Sequence, residues 1–268
     1  MNKVVIITGG GGAIGSATAR LFSENNYKCA IVDIDKENAL GTIADLNNSQ
    51  EHDYFVADVS VPKSINDLVE SVIKQFGRID VLVNLAATNR KSFSQTDNIE
   101  ERWDKTIDND LKSVYLLSER IVVEMAKTGG GAIVNIGSIA GGFLGSHTIP
   151  YSAAKAGILA ITKSHARIYG AHNIRVNCIV PGIIDTAMVH DSVAQKEDNY
   201  FNVIKENTPL KRWGKVDEIA EAIFFVGSNK CEFMTGASIM IDGGATLTLG
   251  PRLDEMPPFK WEKWTPNL

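Results

Sequence analysis

The sequence predicts a single α/β domain built on a doubly wound parallel sheet of about seven strands. Short runs rich in β-branched residues recur along the chain, and each is bounded by glycine or aspartate. Segments with the spacing of amphipathic helices lie between these runs, so strands and helices alternate. Parallel strands need crossover connections, and right-handed crossovers place helices on both faces of the sheet.

The individual elements follow in chain order. Seven segments carry the strand pattern: VVIIT (4–8), CAIVD (29–33), YFVAD (54–58), DVLVN (80–84), AIVNIGS (132–138), IRVNCIV (174–180) and ASIMID (237–242). Helical spacing is clearest over residues 14–22, 65–76, 103–125 and 151–168. The pattern ends near Gly244, so we expect one domain over 1–244 and a C-terminal tail over 245–268.

Composition excludes several classes of function. The chain has 268 residues, 44% of them hydrophobic, with a net charge of -5 and scattered basic residues, which counts against a nucleic-acid partner. No stretch reaches the roughly 18 apolar residues of a membrane span, and no signal peptide is recognisable. We therefore expect a soluble cytoplasmic protein. The three cysteines and five histidines show no ligand spacing, so no metal site is expected.

A glycine-rich loop follows the first predicted strand. Residues 10–15 match G-x-G-x-x-G between a strand and a helix, where backbone N–H groups can bind a pyrophosphate. Asp33 ends the next strand, 18 residues past Gly15, close to the usual spacing of a ribose-binding acid. A carboxylate there accepts ribose hydroxyls and repels a 2′-phosphate, which favours NAD over NADP. The alternatives are an ordinary tight turn and a solvated strand end.

The second half of the chain carries the more specific motifs. Asn135-Ile-Gly-Ser138 precedes Tyr151-Ser-Ala-Ala-Lys155 at the start of a predicted helix. Together with Thr8-Gly9, Asp58-Val59, Asn84 and Pro181-Gly182, this set resembles the short-chain dehydrogenase/reductase family from residue 4 to about 244. The resemblance agrees with the Rossmann-like fold class and with NAD, which Asp33 favours as the cofactor, and it implies a homotetramer.

Three residues form the predicted catalytic group. Tyr151 and Lys155 lie four positions apart and share a helix face, so the ammonium favours the ionised phenol and lowers its pKa from about 10. Tyr151 then acts as the general base on an alcohol, or as the acid on a ketone. Ser138 would bind the same oxygen. The resemblance adds that Lys155 holds the nicotinamide ribose. Taken singly, each residue could be structural.

The resemblance also implies the cofactor contacts. Besides Asp33, Tyr151 and Lys155, they comprise Gly9, Gly12, Ile14 and Gly15 of the loop, Ile34, Asp58 and Val59 near the adenine, Asn84 and Ala86 near the adenosine ribose, and Pro181, Gly182, Ile184 and Thr186 near the nicotinamide. Asp58 could instead form only an Asx turn, and Pro181-Gly182 only a turn. Two positions depart from the family pattern. Ala13 replaces a glycine, which a negative φ would tolerate, and Asn84-Leu85-Ala86-Ala87 replaces Asn-Asn-Ala-Gly.

A fourth active-site position lies on the helix predicted over 103–125. The family usually places an Asn there, where it supports a water that links the Lys to solvent. At 100° per residue Asp110 lies about 60° from the buried stripe and Asn109 about 160° from it. The phase therefore predicts Asp110 inward and Asn109 in solvent. Asp110 either accepts hydrogen bonds as a structural substitute or couples to Lys155 and shifts the working pH.

The predicted substrate pocket is mostly apolar. The resemblance places it after Ser138 and in a lid over about 186–213, with Phe143, Leu144, His147 and Met188 as lining residues. This lining favours a secondary alcohol or ketone on a ring, a steroid, a polyol or a sugar derivative. His147 could equally be a surface histidine.

The leading function is an NAD-dependent oxidoreductase that interconverts a small-molecule alcohol and ketone. A 3-oxoacyl-thioester reductase is the rival, although such reductases usually prefer NADP and Asp33 counts against that. A non-catalytic dinucleotide-binding scaffold is the alternative of another class. The apolar tail would dock on the body or on a neighbouring subunit, and deletion of residues 251–268 separates a role in the active site from a role in assembly.

Overall fold

The computed structural model describes residues 2–88, 98–143, 149–187, 189–190 and 200–247. Its strands are β1 (Val4–Thr8), β2 (Lys28–Asp33), β3 (Asp53–Val56), β4 (Val81–Asn84), β5 (Gly131–Ile136), β6 (Ile174–Pro181) and β7 (Ser238–Ile241). All neighbours pair in parallel, in the order β3-β2-β1-β4-β5-β6-β7. The predicted Rossmann-like fold class is therefore confirmed.

Helices connect these strands. They are α1 (Ala13–Glu24), α2 (Lys36–Ala44), α3 (Pro62–Phe76), α4 (Ile99–Ile107), α5 (Ser113–Lys127), α6 (Ile149–Tyr169), α7 (Tyr200–Asn207) and α8 (Val216–Gly227). A π-helical turn over Asp108–Lys112 joins α4 to α5, and 3-10 turns cover Ser49–Glu51, Gly170–His172, Asn229–Cys231 and Ala245–Leu247.

Local sequence signals explain several helix ends. The Asp35 side chain caps α2 by accepting from the backbone N–H groups of Glu37 and Asn38. Pro62 stands in the first turn of α3, and Gly77 ends that helix at φ 77°. These signals fix where each crossover helix begins or ends relative to the sheet.

The hydrophobic core has two layers, one on each face of the sheet. Alternate residues of the central strands point to opposite faces, so Val5 and Ile7 pack towards α1 and α8 whereas Ile6 packs towards α3 and α5. All three side chains are fully buried. Both layers are apolar, as expected for a parallel sheet covered on both sides.

Two absences hold for the residues that the structure describes. No helix among them is long and apolar enough to cross a bilayer. No three of their His, Cys, Asp or Glu side chains are grouped so that they could hold a metal ion. The predicted tail lies outside the described residues from residue 248 onwards, and the domain boundary near Gly244 stays a prediction.

Candidate active site

Four of the predicted site residues lie at one edge of the sheet. Asp33, Asn84 and Pro181 end β2, β4 and β6, and Ser138 lies two residues beyond β5. Because all the strands are parallel, their carboxyl ends share this edge. The crossovers change direction between β1 and β4, and ligands of doubly wound folds bind in the crevice at such a point.

The glycine-rich loop has the backbone geometry of a phosphate cradle. Gly9 adopts φ +64°, and a Cβ on Gly15 would lie 2.4 Å from the carbonyl oxygen of Gly9. Gly12 precedes α1 without any side-chain cap, which leaves N–H groups of the first turn available to an anion. Ala13 begins the helix and is not among the described non-glycine residues with positive φ. The condition for tolerating this alanine is therefore met.

The Asp33 carboxylate is oriented by backbone donors. Its Oδ2 accepts from the Gly11 N–H at 2.9 Å, and its Oδ1 accepts from the Asp35 N–H at 3.0 Å. The side chain is only partly buried. Each carboxylate oxygen has more than one lone pair, so both remain able to accept a hydrogen bond from a hydroxyl group.

Tyr151 and Lys155 share one face of α6, as their spacing predicts. The Lys155 Nζ lies 5.5 Å from the centroid of the Tyr151 ring and donates to the carbonyl oxygen of Ile136 at 3.0 Å. Lys155 is 3% exposed, which is unusual for lysine, and its bond to Ile136 links α6 to the end of β5. The Ser138 Oγ accepts from the Ala140 N–H at 3.2 Å. The catalytic role of these three residues stays a prediction.

Asp110 is fully buried, in agreement with its predicted inward direction. Its Oδ1 accepts from both the backbone N–H and the hydroxyl of Thr88, each at 2.6 Å. Its Oδ2 is buried and has no partner. Asp110 thus ties the loop after β4 to the helix that runs beside α6.

The solvent-facing direction predicted for Asn109 is wrong. Asn109 is half-buried, and its Nδ2 donates to the Thr88 hydroxyl at 3.2 Å and to the Asp110 Oδ1 at 3.0 Å. The cause is the π-helical turn, in which the Ser113 N–H donates to the carbonyl of Asp108. A wide turn departs from the regular 100° per residue, so Asn109 and Asp110 both form hydrogen bonds with the Thr88 hydroxyl. Trp103 is 43% exposed and leaves the predicted buried stripe.

The Asn84 side chain belongs to a buried amide network. Its Nδ2 donates to the Asn135 Oδ1 at 2.9 Å, and the Asn135 Nδ2 donates to the Thr162 hydroxyl at 2.9 Å. Asn84 is 4% exposed. Its side chain therefore joins β4 to β5 and, through Asn135, to α6. The contact with the adenosine ribose predicted for Asn84 and Ala86 stays a prediction.

The segment after β6 carries an unpartnered hydroxyl. The Gly182 N–H donates to the Ile241 carbonyl at 2.9 Å, and Ile184 forms a bridge with Gly214 and is 7% exposed. The Thr186 Oγ1 is buried without a hydrogen-bond partner. A buried hydroxyl of this kind normally has a partner, so Thr186 fits a position that binds a polar group of a ligand.

The remaining predicted contacts differ in their surroundings. Asp58 accepts from the Ser60 N–H and hydroxyl at 2.9 and 2.6 Å, which is the Asx turn named as its alternative. Val59 is buried, whereas Ile34 is 67% exposed and Phe143 37% exposed. Leu144, His147 and Met188 of the predicted pocket lie outside the described residues, as does much of the predicted lid.

Sequence reasoning missed two hydroxyl groups that organise this edge. The Thr8 Oγ1 accepts from the N–H groups of Leu85 and Ala86 at 3.0 and 3.1 Å, and Thr88 holds Asp110. Thr8 was visible as part of the Thr8-Gly9 motif, but no local pattern pairs it with a segment 77 residues away. The glycine cradle, the uncapped α1, the oriented Asp33 and the unpartnered Thr186 together fit a dinucleotide.

Comparisons with known proteins agree with this geometry. A family model described as enoyl-(acyl carrier protein) reductase matches residues 11–246. The 3-oxoacyl-(acyl-carrier-protein) reductase of Chlamydia muridarum is 37% identical over 246 residues, which cover 91% of this chain and 97% of that protein. The reductase of the same name from Thermotoga maritima is 35% identical, with coverages of 91% and 98%. The crystal structure of levodione reductase superposes with a TM-score of 0.80 at 31% identity, covering 91% of this chain and 98% of that one.

Proposed function

We infer the type of reaction from family membership. The chain belongs to the short-chain dehydrogenase/reductase family. It is an oxidoreductase that acts on CH–OH groups with NAD or NADP as its cofactor. We propose that Tyr151, Lys155 and Ser138 carry out the conversion between an alcohol and a ketone. The observation that carries this proposal is the Lys155 ammonium, buried beside the Tyr151 ring on α6.

The proposed mechanism assigns one task to each residue. In the oxidative direction Tyr151 takes the hydroxyl proton of the alcohol, and in the reductive direction it returns that proton to the carbonyl oxygen. Ser138 donates a hydrogen bond to the same oxygen as its charge changes. Lys155 places its buried ammonium beside the Tyr151 ring and would hold the hydroxyl groups of the nicotinamide ribose. The bound nicotinamide supplies the chemistry of accepting or donating the hydride.

Two substrate classes have support. The curated relatives favour a 3-oxoacyl thioester, because both are 3-oxoacyl-(acyl-carrier-protein) reductases. A secondary alcohol or ketone on a ring is the second candidate, in line with levodione reductase. Asp33 supports NAD in either case, since its carboxylate repels a 2′-phosphate. We place the 3-oxoacyl thioester first and NAD as the cofactor.

Turnover measurements test the proposal. Nicotinamide absorbance is followed with acetoacetyl-coenzyme A and with a panel of cyclic ketones, secondary alcohols, hydroxysteroids and sugars, each with NAD(H) and NADP(H). Tyr151→Phe should lower kcat by about 100-fold or more while NAD binding stays within a few-fold of the wild type. Tyr115→Phe is the matched control on a tyrosine that is 45% exposed on α5. NAD binding without turnover of any compound would instead support a dinucleotide-binding scaffold.

We also propose that the domain ends near Gly244, that the segment over 186–213 closes on the substrate, and that the protein assembles as a homotetramer. The family resemblance supports all three. Light scattering on the full chain and on a chain without residues 251–268 tests the assembly. If the shortened chain has a changed KM for substrate but the same number of subunits, the tail belongs to the active site.

A further inference from the structure

Helix α2 packs on the phosphate loop without any space for a side chain at Gly11. A Cβ on Gly11 would lie 2.6 Å from the Asn38 Cβ, 2.8 Å from the Asn38 carbonyl carbon and 3.0 Å from the Ala39 nitrogen. Two of these three atoms belong to the backbone of α2, which cannot move aside as a flexible side chain can. A side chain at position 11 would therefore push α2 and the loop apart.

The same contact holds the Asp33 carboxylate. The Gly11 N–H donates to the Asp33 Oδ2 at 2.9 Å, and the Thr42 hydroxyl of α2 donates to the Gly10 carbonyl at 2.9 Å. Thr42 is 3% exposed, so this second bond is shielded from water. The phosphate loop, α2 and the Asp33 carboxylate thus form one unit. If α2 and the loop moved apart, the Gly11 N–H that donates to Asp33 would also move.

The charges of this unit oppose a phosphate. Residues 33–38 read DIDKEN, with three carboxylates and one cation. That cation, Lys36, lies on the Tyr54 ring with its Nζ 5.9 Å from the ring centroid. A 2′-phosphate would meet the oriented Asp33 carboxylate and its acidic neighbours, whereas a 2′-hydroxyl would donate to that carboxylate.

We propose that Gly11 is the positioning residue for Asp33. Its lack of a side chain lets α2 pack on the loop, its N–H orients the carboxylate, and together they make the site select NAD over NADP. The inference rests on the proposed function, because it concerns the same dinucleotide. It goes further by assigning selectivity to a loop residue that acts through Asp33. Removal of the Gly11 contact should therefore reduce the preference for NAD over NADP, and not only the affinity for both dinucleotides.

The ratio of two dissociation constants tests this role. Isothermal titration of the full chain gives Kd for NAD and for NADP in the wild type and in Gly11→Ala. We expect Gly11→Ala to weaken NAD binding by about 10-fold and to lower the ratio Kd(NADP)/Kd(NAD) by a similar factor. A loop that is merely loosened would weaken both dinucleotides equally, and an unchanged ratio would overturn the proposal.

A double-mutant cycle provides the second readout. If Gly11 acts through Asp33, Gly11→Ala should change NAD affinity by no more than about 2-fold in an Asp33→Asn background. Equal losses in both backgrounds would contradict the proposal. Gly41→Ala is the matched control, because Gly41 lies on α2 and a Cβ there meets nothing within 4 Å. It should leave both dissociation constants unchanged.

Thr42→Val covers the case in which Gly11→Ala does not fold. This nearly isosteric change removes the bond from α2 to the Gly10 carbonyl and should lower the same ratio by about 3-fold. An unchanged ratio in Thr42→Val would count against the unit of loop, helix and carboxylate. Failure of the wild-type protein to bind NAD would instead overturn the proposed function, on which the inference rests.

Discussion

At the scale of single residues, two neighbouring aspartates of the π-helical turn differ in what they do. Asp110 is fully buried and accepts both the N–H and the hydroxyl of Thr88. Asp108 forms an ion pair with Lys112 at 2.9 Å, and both side chains are more than 40% exposed. The bonds from Thr88 to Asp110 should contribute more to stability than the exposed ion pair. The reason is that a buried donor that loses its acceptor is left with the full cost of its desolvation.

Substitution by alanine should separate these two aspartates. We expect Asp110→Ala to lower the free energy of unfolding by about 1–3 kcal/mol, since the Thr88 N–H loses its acceptor. Asp110→Asn keeps an acceptor oxygen and should cost less. Asp108→Ala, the matched control, should cost below about 1 kcal/mol, as exposed pairs do. Urea unfolding measures all three, and equal losses at positions 108 and 110 would refute this assignment.

A second polar cluster lies between α5 and α6, away from the candidate active site. The His165 Nε2 lies 3.2 Å from the Glu119 Oε1, which also accepts from the Tyr169 hydroxyl, and the Tyr115 ring stacks on the imidazole at 5.9 Å. The His165 Nδ1 is buried without a partner. Burial lowers the pKa of His165 below its usual 6.5, although Glu119 opposes the shift.

This lowered pKa predicts a pH dependence of stability. Below about pH 6.5 the unfolded chain binds a proton at residue 165 that the folded chain does not yet bind, so stability should fall as pH decreases through that value. His165→Gln removes this contribution. Urea unfolding between about pH 5.5 and 8 should therefore show a smaller loss in the variant than in the wild type. His172→Gln, on an exposed 3-10 turn, is the control and should leave the wild-type slope unchanged.

At the scale of elements, one glycine sets the distance between the Ser138 loop and α6. The Gly141 N–H donates to the Ser138 carbonyl at 2.9 Å. A Cβ on Gly141 would lie 2.7 Å from the Lys155 carbonyl carbon and 2.9 Å from the Ala156 nitrogen. Because these are backbone atoms of α6, a methyl group at position 141 must move Ser138 relative to Lys155.

Gly141→Ala should therefore affect catalysis more than cofactor binding. We expect kcat to fall by at least about 10-fold, because a displacement of about 1 Å at reacting groups can cost up to 100-fold. The Kd for NAD should stay within about 2-fold, since the phosphate loop lies on another element. Gly170→Ala, where a Cβ meets nothing within 4 Å, should leave both constants unchanged. A fall in NAD affinity with kcat preserved would contradict this prediction.

The elements that the sequence predicted share a strong pattern. All seven strands match predicted runs to within about two residues. The match is clearest where the run is fully buried, as in β1 and β4, because such runs have few alternatives. Helices α2, α7 and α8 were not among the predicted helical segments. For α2 the reason is that its nine residues carry only a weak apolar stripe. The π-helical turn was also missed, because periodicity assumes a constant angle per residue. That assumption placed Asn109 in solvent.

At the scale of the whole molecule, the predictable part of the site follows from parallel topology. Strands of one direction bring Asp33, Ser138 and Pro181 to a single edge, whatever the sequence distance between them. Contacts between distant loops could not be predicted in this way. The hydroxyl of Thr8 and the contact of Gly11 with α2 depend on tertiary packing, for which the sequence has no periodic signal.

The three thiols test whether the sheet unfolds as one unit. Cys29 on β2 and Cys178 on β6 are fully buried near opposite edges of the sheet, whereas Cys231 on a 3-10 turn is partly exposed. Burial raises the pKa of Cys29 far above its usual value and that of Cys178 to about 11. Since the thiolate is the reactive form, native protein should label quickly at Cys231 alone.

Labelling of Cys29 and Cys178 should then require global unfolding. A continuous seven-stranded sheet with apolar layers on both faces cannot expose either strand without breaking both layers. The two thiols should therefore react at the same rate and with the same dependence on urea. Thiol-specific labelling followed by peptide mass analysis measures both rates, and Cys231→Ser should remove the fast phase. Earlier labelling of Cys178 would mean that the β6–β7 edge opens independently of the half of the sheet that carries the phosphate loop.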